Sequence, residues 1–432
     1  MYLHKEVETL NSDGLKKLQA VRLRETIAHA IRSPFYKSRR LSPDMIKTVD
    51  DIRKIPLTTK QDLRDNFPYG FLTVPKEEVV RLHSSSGTTG NPTVVFHNRH
   101  DLDSWAQLVA RSLFSTGVRP SDVFQNICGY GLFTGGLGFQ YGAEHLGCLT
   151  IPAGAGNSLR QIKLMRDYGT TVVHAIPSYL GRLRDVFAEE KLDPRTDTSL
   201  RIFVIGAEPH TEEQRRRIEE MYGVKAFNSY GLTEMNGPGV AFECAGQTGM
   251  HLWEDAYLAE IINPDTLEPV PDGELGELVL TTLDRQAMPL IRYRTRDLTR
   301  FIPGACPCGR THRRIDRITG RSDDMFIIKG CNVFPMQIEG ILLRIPEVGS
   351  DYRITLEELD DNDEMLVEVE VKPDWFTGDI TRLDRLTREI TRQIRDEVLV
   401  KPIVKLVETG SIPKSEGKAV RVFDKRPSSK GI

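Results

Sequence analysis

A run of hydroxyl-bearing residues and glycines occupies positions 84–90, between two segments whose apolar residues predict strands. Its glycines allow the backbone to approach a ligand closely, and consecutive N–H groups in such a loop can surround an anion. The hydroxyls can donate to phosphate oxygens. A Walker A loop is excluded because no lysine follows the second glycine. The composition fits both a phosphate-binding loop and a flexible hairpin turn. The residues of the run are Ser84, Ser85, Ser86, Gly87, Thr88, Thr89 and Gly90.

Further stretches of charged, aromatic and glycine residues follow in a definite order along the chain. They occupy positions 129–138, 206–209, 230–234, 292–297, 320–323, 332–335 and 413–418. Together with the 84–90 run, these motifs resemble the adenylate-forming superfamily of acyl-CoA synthetases. The stretches at 129–138, 206–209 and 332–335 narrow the resemblance to the phenylacetate–coenzyme A ligase family. The resemblance covers essentially the whole chain.

The resemblance implies that the chain binds ATP and Mg²⁺ and forms an acyl-adenylate. Residues 84–90 would hold the β- and γ-phosphates, Thr233 would bond the α-phosphate, and Glu234 would ligate Mg²⁺, which prefers oxygen ligands. Lys418 would be the catalytic lysine, bridging the substrate carboxylate and the phosphate in the transition state. Taken alone, Glu234 also fits a helix start, where its charge is favourable, and Lys418 fits a solvated surface lysine.

The nucleoside of ATP is expected along the same motifs. Tyr230 resembles the aromatic residue that stacks on adenine. Asp297 resembles the carboxylate that accepts both ribose hydroxyls, which its two oxygens allow. On its own, Asp297 fits equally well as a surface partner of Arg294 or Arg296. The other ATP-binding residues implied by the resemblance are Glu208, Pro209, Asn228, Ser229, Gly231 and Arg321.

The acyl group is expected at residues 129–138 and at Ala207. Tyr130 and Phe133 would supply flat apolar walls, and Gly135, Gly136 and Gly138 would leave room for a ring; the alternative is a glycine-rich helix entry packed in the core. The implied acid is phenylacetate or a related arylacetate such as indoleacetate, because a hydrophobic wall discriminates poorly between similar rings. The implied acceptor is coenzyme A, with adenylyl transfer that does not use coenzyme A as the alternative.

A separate feature is the cysteine pair Cys306 and Cys308, which a single proline separates. With Cys244 and His251, it would complete a closed tetrahedral zinc site of structural type. His312 is an alternative to His251, and two unrelated cysteines are the alternative to a site. The other cysteines, Cys128, Cys148 and Cys331, lie in apolar contexts and are expected to be buried thiols.

The elements that must position these residues predict an α/β fold. Short apolar runs alternate with helical segments from residue 79, which favours a mostly parallel sheet flanked by helices, and strands with tight turns beyond residue 250 predict a β-rich subdomain. We expect a large domain over residues 1–322 and a smaller, mobile α+β lid domain over 323–432. Asp323 resembles the hinge residue of the family, although it could simply cap a turn. Helices are predicted at 101–116, 158–167, 178–190, 212–222 and 380–398.

Composition excludes several other classes of protein. The 432 residues carry 58 basic and 61 acidic side chains, a net charge of −3, so there is no basic excess to bind a nucleic acid. No apolar stretch approaches the roughly 20 residues of a membrane span, and the charged N-terminus does not resemble a signal peptide. Six cysteines suit a reducing cytosol. We expect a cytoplasmic enzyme of small molecules, without nucleic-acid or membrane partners, and a homodimer by family tendency.

Overall fold

The computed structural model describes residues 1–85, 92–208, 210–329, 331–359, 362–375, 379–413 and 421–426. The chain divides into two compact units. Residues 1–207 and 219–318 form the larger unit, and residues 208–218 and 319–432 form the smaller one. In the part of the chain that the structure describes, no helix combines the length and apolar character needed to cross a membrane.

A nine-stranded mixed sheet forms the centre of the larger unit. Five neighbouring strands are parallel, and four antiparallel strands extend the sheet on one side. The parallel strands, in spatial order, are Leu149–Ile151, Val123–Asn126, Val172–Ala175, Ile202–Gly206 and Lys225–Leu232. The antiparallel strands continue with Gly237–Glu243, Met250–Leu252, Arg314–Ile315 and Phe301–Ile302. The predicted α/β fold is confirmed, with the parallel strands confined to one part of the sheet.

Two smaller antiparallel arrangements complete the strands of the larger unit. The strands Arg81–Ser84 and Val94–His97, which precede and follow the hydroxyl-rich run in the sequence, form an antiparallel pair. Tyr257–Ile262, Gly276–Thr282 and Tyr293–Thr299 form the predicted β-rich region.

Local sequence accounts for the helices that connect the strands. Arg99–Thr116 starts at a reciprocal cap, since Asn98 and Asp101 each accept the other's backbone N–H, and it ends at Gly117 with φ +104°. Its Trp105 and Val109 pack into the core of the parallel sheet. The other described helices of the larger unit are Lys5–Glu8, Ser12–Ala30, Pro34–Ser38, Lys60–Asp65, Thr134–Leu146, Ser158–Asp167 and Pro177–Glu189. Short 3-10 turns occupy Pro43–Met45, Val49–Lys54, Lys76–Glu78 and Thr233–Met235.

The smaller unit is an α+β structure with its own hydrophobic core. Its four-stranded sheet has the order Ile403–Val407, Asn362–Val371, Val348–Leu359 and Val422–Asp424. The helices Pro335–Leu343 and Ile380–Val398 contribute Ile338, Ile341, Leu386 and Ile390 to its core. Its remaining described elements are Gly320–Arg321, Phe326–Ile328, Cys331–Val333 and the turn Pro373–Trp375, while the helix Glu212–Tyr222 begins in this unit and ends in the larger one.

Candidate active site

The segments on either side of the hydroxyl-rich run pair with each other as antiparallel strands. Ser84 lies opposite Val94 in the antiparallel register. The backbone N–H of Ser85 donates to the Thr93 carbonyl at 3.0 Å, and the hydroxyl oxygens of Ser85 and Thr93 lie 2.7 Å apart. The predicted phosphate ligands Ser86, Gly87, Thr88, Thr89 and Gly90 lie outside the described residues, so their role stays a prediction.

The carboxylate of Glu234 reaches these paired segments from a distant part of the chain. Its Oε1 accepts a hydrogen bond from the Thr93 hydroxyl at 3.2 Å and lies 3.9 Å from Lys60 Nζ. The Glu234 residue is 5% exposed. It belongs to the three-residue turn Thr233–Met235 rather than to the start of an α-helix. A buried carboxylate beside hydroxyl oxygens has the donor chemistry that Mg²⁺ takes in proteins.

Arg285, which the motif analysis missed, binds the main chain of the Glu234 turn. Its Nη1 donates to the main-chain carbonyl of Glu234 at 2.6 Å, and its Nη2 donates to the carbonyl of Phe96 at 3.5 Å. The guanidinium is buried, and this burial lowers its pKa. The contacts join the Glu234 turn to the strand that returns from the hydroxyl-rich run.

The two residues predicted to hold the nucleoside lie in contact. The Tyr230 hydroxyl donates to Asp297 Oδ2 at 2.6 Å, and both residues are 8% exposed. The interpretation of Asp297 as a surface residue is therefore wrong. Arg294 instead pairs with Glu277 through two hydrogen bonds of 2.8 and 2.7 Å.

The neighbours of Tyr230 in the predicted nucleotide site have structural contacts of their own. The backbone N–H of Asn228 donates to Glu243 Oε2 at 2.8 Å, and Ser229 Oγ donates to the Ile205 carbonyl at 3.0 Å. A Cβ atom at Gly231 would lie 1.7 Å from the Gly237 carbonyl oxygen, so only glycine fits there. Ala207 adopts a left-handed conformation with φ +64° at the end of the strand Ile202–Gly206.

The other predicted nucleotide and hinge residues belong to the smaller unit or lie outside the described residues. Glu208 is in the smaller unit. Arg321 donates to both carboxylate oxygens of Asp323, at 2.8 and 2.9 Å. Pro209 and the catalytic candidate Lys418 lie outside the described residues, and their assignments stay predictions.

Of the three glycines expected to leave room for the acyl group, only Gly135 has open space beside it. A Cβ atom at Gly135 would meet no atom within 4 Å, and the side chain of neighbouring Phe133 is 55% exposed. A Cβ atom at Gly136 would lie 2.5 Å from the Gly129 carbonyl oxygen, so this glycine permits a close backbone approach. The expectation that Gly138 leaves room for the acyl group is wrong, because the side chains of Trp105 and Pro238 fill the space beside it.

Tyr130, the aromatic residue of that loop, is fixed by a neighbouring amide. Asn126 Nδ2 donates to the Tyr130 hydroxyl at 3.0 Å and to the Gly136 carbonyl at 2.6 Å. Partial burial raises the pKa of Tyr130 to about 12, so its hydroxyl keeps its proton near neutral pH. These bonds hold the acyl-pocket candidates Tyr130 and Gly136 against the end of the strand Val123–Asn126.

The predicted zinc ligands form a compact cluster. One ligand atom from each of Cys244, His251, Cys306 and Cys308 lies within 4.8 Å of all the others. His251 Nε2 is 3.3 Å from Cys308 Sγ, and Cys244 Sγ is 3.6 Å from Cys306 Sγ. The interpretation of the cysteines as unrelated is therefore wrong. Three thiols and one imidazole form the donor set of a closed structural zinc site.

His312 supports this cluster without supplying a ligand atom to it. Its main-chain carbonyl lies 3.0 Å from His251 Nδ1, so that nitrogen donates the hydrogen bond and Nε2 is directed at the thiols. The imidazole of His312 instead lies 3.1 Å from the Val7 carbonyl and 3.3 Å from the backbone nitrogen of Glu254. The alternative in which His312 replaces His251 is wrong in this structure.

Two sequence families match the chain. Residues 25–283 match the family of AMP-binding enzymes, and residues 330–426 match the C-terminal domain of AMP-binding enzymes. The phenylacetate-coenzyme A ligase of Pseudomonas putida is 46% identical over 98% of this chain and 97% of that protein. The Escherichia coli K12 protein of the same name is 45% identical over 97% of each chain.

Solved structures agree with the fold. A 2-hydroxyisobutyryl-CoA ligase, crystallised in its postadenylation state with an acyl-AMP, matches with a TM-score of 0.91 and 30% identity, over 98% of this chain and 92% of that one. An anthranilate CoA ligase at 19% identity shares the fold with a TM-score of 0.59, over 85% of this chain and 68% of that one. The conclusion rests on the ordered motifs, on the contacts among Ser85, Thr93 and Glu234 and between Tyr230 and Asp297, and on identity over nearly the full length. This chain belongs to the phenylacetate–coenzyme A ligase family of adenylate-forming enzymes.

Proposed function

We propose that the protein joins phenylacetate, or a related arylacetic acid, to coenzyme A in an ATP- and Mg²⁺-dependent reaction. The carboxylate attacks the α-phosphorus to give an acyl-adenylate and pyrophosphate, and the thiol of coenzyme A then displaces AMP. The observation that supports this most directly is the convergence of Ser85, Thr93 and Glu234, next to a hydroxyl-rich run, within a family of this activity.

The first step brings two anions together, so the site must orient them and offset their charge. Two unit charges 4 Å apart interact by about 4 kcal/mol at an effective dielectric of 20. We assign the phosphates to residues 84–90 and Thr233, the adenosine to Tyr230 and Asp297, and the transition-state cation to Lys418. Bound Mg²⁺, held by Glu234, would neutralise phosphate charge and orient the leaving pyrophosphate.

The decisive experiment measures AMP release across a panel of carboxylic acids, with and without coenzyme A, and identifies the thioester by mass spectrometry. Phenylacetate or another arylacetate should give the highest kcat/KM, with one thioester formed for each AMP. AMP formation that depends on the acid but not on coenzyme A would overturn the assignment of coenzyme A as the acyl acceptor. A panel in which only non-aromatic acids react would overturn the substrate class.

We further propose that Cys244, His251, Cys306 and Cys308 hold one structural Zn²⁺. The support is the mutual proximity of four buried or half-buried ligand atoms and the hydrogen bond that orients His251. In metal sites, a ligating histidine ordinarily donates a hydrogen bond from its second ring N–H to such a carbonyl. Zinc here would stabilise the fold and take no part in the reaction, because all four positions are occupied by protein.

Two further properties belong to the same proposal. We place the protein in the cytosol, where ATP and coenzyme A are its co-substrates and where thiols stay reduced and can bind a metal. A homodimer is expected from the tendency of the family, and the mass in solution at working concentration tests it.

A further inference from the structure

A cysteine, a histidine and an asparagine are aligned where two neighbouring parallel strands end. Cys128 Sγ lies 3.6 Å from His174 Nε2, and His174 Nδ1 lies 2.9 Å from Asn126 Oδ1. Asn126 and His174 are opposite each other in the strands Val123–Asn126 and Val172–Ala175. Ligands bind outside the carboxyl ends of the strands in open α/β sheets. The three side chains therefore lie at the edge where a substrate is expected.

The hydrogen bonds determine which nitrogen of His174 carries the proton. Asn126 Nδ2 donates to Gly136 and Tyr130, so the amide oxygen must face His174. An amide oxygen can only accept, and His174 Nδ1 must therefore donate. The lone pair of Nε2 is left directed at Cys128, the arrangement in which an imidazole can accept a thiol proton.

Burial keeps this imidazole neutral. His174 is fully enclosed, with the ring of Phe139 at 3.7 Å between centroids, and burial lowers its pKa to about 3. A histidine with this pKa is a weak base that cannot ionise the thiol beforehand, so Nε2 takes the thiol proton only as the sulfur bonds to an electrophile. Cys128 and Cys331 are half-buried, contrary to the expectation that both are buried thiols, so each is partly exposed to a small reagent.

We propose that Cys128 is a covalent modification site for soft electrophiles, with His174 as proton acceptor and Asn126 as the residue that orients His174. With a maleimide, the sulfur bonds to one alkene carbon while its proton passes to His174 Nε2. The alkene electron pair moves to the neighbouring carbonyl as an enolate, which takes a proton from solvent, and the imidazolium returns its proton to solvent. The product is a thioether, and no oxidant or reductant is consumed.

The same geometry links the thiol to the acyl pocket, and this part of the inference depends on the proposed function. Asn126 bonds both to His174 and to the pocket candidates Tyr130 and Gly136. A group attached to Cys128 would then compete with the aryl acid, and bound phenylacetate would shield the thiol. Modification should therefore inactivate the ligase.

The test compares two half-buried thiols of the same chain by peptide mass spectrometry after brief N-ethylmaleimide treatment. Cys331 is the matched control, since its sulfur has a main-chain carbonyl, that of Leu399, at 3.9 Å and no imidazole partner among the described residues. Cys128 should react at least about tenfold faster than Cys331, within the range of general-base assistance. Equal rates would overturn the inference without requiring any variant.

Two further measurements separate the roles. His174→Gln should bring the Cys128 rate down to that of Cys331, and an unchanged rate would overturn the role of His174. Saturating phenylacetate should slow labelling of Cys128 but not of Cys331. Absent protection in an enzyme that still forms phenylacetyl-CoA would overturn the placement in the acyl pocket and leave the proposed function standing. Absent thioester formation would overturn the proposed function, while the comparison of the two thiols would still stand.

Discussion

At the scale of single residues, Arg285 stands out because a buried guanidinium contacts two main-chain carbonyls of the candidate phosphate site. Removing a buried cation from water is costly unless its hydrogen bonds are made. Here the donors join Glu234 to Phe96, and Nε has no hydrogen-bond partner in the described part of the chain. The contacts make Arg285 a positioning residue for Glu234.

We therefore expect Arg285→Met to lower kcat/KM for MgATP by about ten- to a hundredfold, since a hydrogen bond to a charged group contributes about 1.5–3 kcal/mol. Steady-state kinetics at varied MgATP, with the acid saturating, measure this effect. Arg285→Lys retains the charge and should recover part of the loss. Arg201→Met is the control. Arg201 pairs with Asp122 at the amino ends of the parallel strands, whereas the predicted substrate site lies at their carboxyl ends. Equal kinetic losses in the Arg285 and Arg201 variants would refute the positioning role.

At the scale of elements, the cysteine cluster lies next to the segment that begins the chain. Arg310, two residues after Cys308, forms an almost fully buried ion pair with Glu8 at 2.6 Å. The Tyr2 hydroxyl donates to the Cys308 carbonyl at 3.0 Å, and the Thr311 hydroxyl donates to the Leu10 carbonyl at 2.7 Å. The loop that carries Cys306 and Cys308 thus also anchors residues 1–10.

Purified protein should contain about one zinc per chain by elemental analysis, and Cys306→Ser together with Cys308→Ser should abolish it. Hydrogen exchange should then become faster in residues 1–10 and in the strand Met250–Leu252, while the smaller unit stays protected. Cys331→Ser is the control, because its thiol lies outside the cluster. Protein purified without any metal, yet with residues 1–10 fully protected, would argue against the site.

The helix Pro335–Leu343 carries a carboxyl group with an unusual pKa. Burial raises the pKa of Glu339 to about 7 from its ordinary value of 4.5. The folded chain therefore binds this proton more tightly than the unfolded chain, and the contribution of Glu339 to stability falls as pH rises from about 4.5 to about 7. Glu339→Gln removes that dependence. The thermal midpoint of the wild type relative to Glu339→Gln should fall between about pH 4.5 and pH 7, and a constant difference would contradict the prediction.

Local sequence signals predicted where helices begin and end more closely than which elements contact each other. The helices Ser158–Asp167, Glu212–Tyr222 and Ile380–Val398 have the predicted ends, because periodicity and capping are properties of adjacent residues. The pairing of Thr93 with Glu234, 141 positions apart, depends on sheet order, which no local pattern encodes. Arg285 and His174 escaped the sequence analysis for the same reason, since each acquires its meaning from a distant partner.

At the scale of the whole molecule, a net charge of −3 coexists with a proposed substrate as anionic as ATP. In the larger unit, Lys60 and Arg285 place two cationic side chains around Glu234. The remaining cation that the family resemblance requires is Lys418, which belongs to the C-terminal part of the sequence. If it acts only while the adenylate forms, the two half-reactions must differ in their dependence on it.

Lys418→Ala should slow adenylation by about 10²–10³, since a lost transition-state donor costs roughly 2.7–4 kcal/mol. Pyrophosphate release in the presence of ATP and phenylacetate measures this first step. Thioester formation from supplied phenylacetyl-adenylate and coenzyme A should proceed near the wild-type rate, because its carbonyl is already activated. Lys425→Ala is the matched control, an exposed lysine seven positions further along. Pyrophosphate release at the wild-type rate would remove Lys418 from the chemistry, and equal loss in both half-reactions would assign it to binding the adenylate rather than to forming it.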